Sequence, residues 1–157
     1  ISDMIVVMKD GIIQQTGKPQ EVYDEPVNLF VAKFLGTPPI NVLDGRVKDG
    51  TLFIGEDAVL KVDGVADREV VVGIRPEGFE LDANGPFCCA LRNVEVMGRD
   101  VSVVSTNAAS QNPQIRSIID ADNQVDVSKG IVRYILKPHK VFLFCKETGE
   151  RIRFTVK

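Results

Sequence analysis

Few residues in this chain have types and spacings that could do chemistry. Gly11, Gly17 and Lys18 have the composition of a phosphate-binding loop, in which backbone amides and a lysine cradle a polyphosphate. The spacing fails twice: five residues separate the glycines where that loop has four, and Pro19 stands where Ser or Thr would hold magnesium. Asp120-Ala121-Asp122-Asn123-Gln124 begins like a calcium loop, but Gln124 and Val125 occupy positions that need Asp or Asn and then Gly, and no Glu closes it. It reads as a solvated acidic turn. Cys88, Cys89 and Cys145 are an odd set for disulfides, and the neighbouring pair on a strand faces opposite ways, so they read as small apolar residues. His139, the single histidine, lies between prolyl and lysyl neighbours as an exposed corner, and no serine sits in a nucleophile elbow. No catalytic residue, metal site or cofactor is expected in this chain.

The elements around these residues fall into two parts. Residues 5–8 are a continuous apolar run, Lys9-Asp10-Gly11 is a turn, and residues 12–15 return as a second strand. Pro19 suits the first turn of a short helix over 20–24, and Asn28 suits the cap of a second helix through Leu35. Phe30, Val31, Phe34 and Leu35 share one helical face, with Gly36 at the position just past the end. Two strands cannot bury an apolar run on both faces. Residues 1–36 are therefore expected to close a domain that begins upstream. Their apolar strand is expected to pair with another copy, fold onto the β domain, or remain disordered.

Thr37-Pro38-Pro39 marks a domain boundary, and beyond it the hydrophobic period becomes that of strands. Strands are expected over 42–47 (with a bulge at Asp44-Gly45), 51–54, 58–62, 69–75, 87–97, 101–105, 117–121, 130–136, 141–144 and 151–156. Pro76 ends the most apolar of them, and residues 107–113 read as an exposed loop. Residues 37–157 thus form a mainly β domain, a barrel or sandwich. The net charge of −3 argues against nucleic-acid binding, and 44% hydrophobic residues against disorder. No run approaches the ~20 apolar residues of a membrane-spanning helix.

The order Asp3, 5–8, Lys9-Asp10-Gly11, 12–15, Gly17-Lys18-Pro19, Glu21-Val22-Tyr23, 26–32, Phe34-Leu35-Gly36 and Pro39-Ile40-Asn41 resembles the close of the nucleotide-binding domain in ATP-binding-cassette importers, in the subfamily serving sugars and glycerol phosphate. Gly73-Ile74-Arg75-Pro76-Glu77, with residues 94–98 and 138–144, resembles that family's C-terminal OB-type regulatory domain, called TOBE. The resemblance implies an OB-like barrel preceded by a hairpin and two short helices. It also implies a parent protein that binds ATP and magnesium upstream of this chain and hydrolyses ATP to drive solute uptake. The implied location is the cytoplasmic face of the membrane, as a peripheral homodimer with permease subunits and room for a regulatory protein. Arg75, Pro76, Glu77, Gly98 and Phe144 are candidates for interface or regulatory surfaces. Each has a plainer reading: proline ending a strand with its charged neighbours facing water, Gly98 as a turn, Phe144 as core. A small-ligand or oxyanion sensor and an OB-type nucleic-acid binder are the competing functions.

Overall fold

The structure, a computed structural model, describes residues 3–120 and 127–156. Strands β1 (Ile5–Lys9) and β2 (Ile12–Gly17) form a hairpin. Its turn places both Asp10 and Gly11 at positive φ, 51° and 79°, the geometry that matches strand twist in a two-residue hairpin. Helices α1 (Pro19–Asp24) and α2 (Leu29–Phe34) follow. Proline opens α1, where a missing N–H costs nothing, and the Asn28 side chain accepts a hydrogen bond from the Val31 amide (2.9 Å) to cap α2. Val7, Val22 and Val31 are fully buried against one another where the hairpin meets the helices.

The remainder is two antiparallel sheets around one core. The larger contains β3 (Asn41–Lys48), β4 (Thr51–Ile54), β5 (Asp57–Asp63), β6 (Arg68–Ile74), β12 (Val141–Cys145), β13 (Arg151–Ile152) and β14 (Thr155–Val156), in the order β13-β12-β6-β3-β4-β5-β14. The smaller contains β7 (Phe79–Leu81), β8 (Phe87–Met97), β9 (Asp100–Thr106), β10 (Ile115–Asp120) and β11 (Ile131–Leu136), in the order β10-β9-β8-β11-β7. Leu43, Val72, Leu143, Phe79, Phe87, Val103, Ile115 and Tyr134 are among the residues filling the space between them. The other face of the larger sheet is also buried: Val42, Val71, Phe142 and Phe144 lie against Ile40 and Ala32 of α2. Burial on both faces explains why β6 reads as a continuous apolar run.

Several expectations need correction. No bulge occurs at Asp44-Gly45; β3 pairs with β6 without a register shift. Gly45 is there for close approach, since a Cβ would lie 2.6 Å from Val72 Cγ2 and 2.9 Å from the Phe53 carbonyl oxygen. Residues 107–113 are the expected loop, part-exposed to exposed, but they are tied to β3. The Asp44 amide donates to the Ala109 carbonyl and the Gln111 amide to that of Val42, both at 2.8 Å, so the segment lines β3 where β4 has ended. The span 151–156 is two short strands, because Arg153 and Phe154 cross from the β12 edge to the β5 edge. Strand β7, only three residues long, carried too little pattern to be anticipated. Phe34 lies outward and is 59% exposed, while Ala32 takes the inner position. The acidic turn over 121–124 falls outside the described residues.

Candidate functional site at the Arg75 corner

Strand β6 stops where Pro76 can no longer donate to a ladder, and a single 3₁₀ turn (Pro76–Gly78) follows. A matching turn, Pro138–Lys140, precedes β12. The two corners are tied by the Arg75 amide donating to the Lys140 carbonyl (3.1 Å) and the Lys137 amide to that of Gly78 (2.8 Å). Gly78 permits this approach, because a Cβ would meet the Lys140 Cβ at 2.8 Å.

The Arg75 side chain does not face water. It is 0% exposed and runs beneath the helices. Nη1 donates to the carbonyls of Ala32 (2.8 Å) and Leu35 (3.0 Å), and Nη2 to that of Tyr23 (2.7 Å). Carbonyls at helix ends lack intrahelical partners and carry partial negative charge, so one cation completes the ends of both α1 and α2. The guanidinium carbon lies 3.9 Å from the Tyr23 ring centroid and 5.6 Å from that of Phe142. Burial pushes the Arg75 pKa below its ordinary value, opposed by Tyr23, Glu77 and Asp24.

The countercharge is relayed through Tyr23. Its hydroxyl donates to the Glu77 carboxylate (2.6 Å to Oε2), and Lys140 Nζ lies 3.5 Å from the same oxygen. Burial would raise the Glu77 pKa, but hydrogen bonds from Tyr23 and the backbone, with Lys140 nearby, outweigh it and hold the carboxyl below its ordinary value. Burial first, then the Glu77 carboxylate, pushes the Tyr23 hydroxyl well above its ordinary value. A phenol that keeps its proton beside an ionised acceptor is a fixed donor; this constellation holds chain segments together.

The structure therefore gathers Arg75, Pro76 and Glu77 at one corner, with Phe144 in the adjoining cluster beside Ala32. Arg75, Pro76 and Phe144 are buried and offer no surface to a second molecule; Glu77 remains part-exposed. Gly98 stands apart at the β8–β9 turn, exposed, at φ 65°. Tyr23, Lys140 and Phe142 were not anticipated. Tyr23 and Glu77 lie 54 positions apart in the chain, and no local pattern encodes that meeting.

The other chemistry-bearing residues are dispersed. Cys89 is buried, its thiol pushed up to about 12 by desolvation, while Cys88 and Cys145 are half-buried and all three are free. His139 is exposed. Residues Gly17-Lys18-Pro19 do not fit a phosphate: the Lys18 carbonyl accepts from the Val22 amide, Pro19 has no N–H to offer, and a Cβ on Gly17 would already be 3.3 Å from Val22 Cγ2. Among the described residues, no helix is long and apolar enough to cross a membrane.

A family model described as the MalK OB fold domain matches residues 36–79, which include Arg75, Pro76 and Glu77 of this corner. Over 97% of its length the chain is 28% identical to the diacetylchitobiose uptake system ATP-binding protein MsiK of Streptomyces coelicolor, covering 46% of that protein. Over 95% of its length it is 34% identical to the oligosaccharides import ATP-binding protein MsmX of Bacillus subtilis, covering 44%. The sn-glycerol-3-phosphate import ATP-binding protein UgpC of Jannaschia is 32% identical over 97% of this chain, with 43% of that protein covered. The chain is thus similar, along nearly all its length, to ATP-binding proteins of uptake systems for sugars and glycerol phosphate, and its residues 36–79 match an OB-type domain. It spans less than half the length of these relatives.

Proposed function

We propose that this chain is the regulatory and dimer-supporting part of an importer's ATP-binding subunit. In this reading residues 1–36 close the nucleotide-binding domain and residues 37–157 form the regulatory domain. The observation that carries it is the near end-to-end relationship to ATP-binding subunits of sugar-type importers. The parent protein couples ATP hydrolysis, with ATP and magnesium held by residues outside this chain, to solute uptake. It does so as a peripheral subunit on the cytoplasmic face, seated on permease partners.

The chain's own role is mechanical. Paired β domains keep two subunits together while the nucleotide-binding domains open and close, and a regulatory protein biases that equilibrium only through unequal affinity for the two states. The reading predicts self-association. Light scattering across a wide concentration range should show a dimer, or a molecular mass that climbs with concentration; a mass fixed at the monomer throughout would remove the dimer-supporting role.

A further inference from the structure

We propose that Arg75 is a clamp that makes the two short helices and the β sheets one moving body. Two seams join these parts. At the outer seam, Glu25 accepts from Arg151 and Arg153, both at 2.7 Å, with the Glu25 side chain 57% exposed. The Arg153 pair is exposed at both ends, so it contributes little and is screened by salt; Arg151 is 14% exposed, and its pair opens to water on the Glu25 side. The Leu29 amide also donates to the Gly149 carbonyl there (2.8 Å).

At the inner seam, a single buried guanidinium reaches three carbonyls belonging to two different helices, from the end of the central strand β6. Its planar fork spans all three, which a lysine ammonium cannot do in the same geometry. Loss of this side chain leaves the buried Ala32 carbonyl and the part-buried Tyr23 and Leu35 carbonyls without this partner, which is costlier than loss of a surface pair. Tyr23 reinforces the seam from its other face by bonding to Glu77, two residues beyond Arg75. The helices consequently cannot slide or tilt over β6 and β12 while Arg75 is in place. A displacement imposed on the hairpin or helices is passed to the β sheets as a rigid movement. The use of that movement to link nucleotide-driven motion to the β domain rests on the proposed function; the clamp does not.

Hydrogen exchange on this chain tests the clamp. Arg75→Lys is expected to speed exchange of the amides over 22–35 at least tenfold, with those of β6 and β12 unchanged within twofold. Glu25→Gln, at the outer seam, is expected to speed the same amides by less than threefold. Tyr23→Phe is expected to give an intermediate, equally confined effect, and it serves if Arg75→Lys does not fold. Uniform acceleration of helices and sheets by Arg75→Lys or Tyr23→Phe, no acceleration by either, or a larger effect of Glu25→Gln would each overturn the proposal. None of these outcomes bears on whether the chain dimerises, so the two readings fail separately.

Discussion

The β sheets and the hairpin with its helices are built by different means. In the sheets, alternation sends Phe79, Phe87, Val103, Tyr134 and Leu143 into one shared interior, and apolar burial supplies the cohesion. In the hairpin segment, the fully buried apolar side chains are Val7, Val22, Val31 and Ala32, while Met4, Val6, Met8, Ile12 and Ile13 are each about half or more exposed. That segment is held by directed polar contacts: the Asn28 cap and the Arg75 guanidinium on its helix-end carbonyls. A region with little interior must rely on bonds that fix geometry, because it has too little apolar area to rely on bulk. The expectation that the run over 5–8 needs covering is half met, with one face covered by α1 and α2 and the other open to solvent.

Three changes probe this contrast. The largest effect is expected from Phe87→Ala, which empties space beside Phe79 in the interior. It should cost about 3–5 kcal/mol in urea-induced unfolding, seen as a lowered midpoint. A loss under about 1 kcal/mol would mean that the sheets do not depend on this interior. A smaller cost, about 1 kcal/mol, is expected from Asn28→Ala, with the far-ultraviolet change limited to helical signal. An effect as large as that of Phe87→Ala would erase the distinction between the regions.

The smallest effect concerns acid. The Glu77 carboxyl is held below its ordinary value of 4.5, so the charged form favours the folded state. Its contribution is complete above 4.5 and is lost as pH falls through the lower native value. Glu77→Gln should flatten the fall in stability over that acid range. An unchanged pH profile in the variant would show that the Tyr23–Glu77 contact does not couple to folding.

Much of this architecture was legible in the chain. Asp10-Gly11 announced a hairpin because positive φ is costly for most other residues, and Pro19 and Asn28 announced helix starts because they answer the unpaired amides there. Strands such as 87–97 showed their bounds through hydrophobic period and turn residues. The corner was legible only as a place where a strand stops. Charged residues beside a proline ordinarily face water, so Arg75 read as surface, and Phe144 could be core or contact with equal ease. The partners that settle both, Tyr23, Ala32 and Leu35 for Arg75 and Gly73 beside Phe144, arrive from distant parts of the chain.

Local rules of backbone sterics, capping and periodicity therefore determined the elements, their order and the family likeness, since each depends on residues a few positions apart. Where the Arg75 charge went, why Gly45 has no side chain, and how residues 107–113 extend a sheet were decided only when the elements met. Burial and long-range hydrogen bonding depend on which surfaces face each other in space, and spacing along the chain does not carry that information.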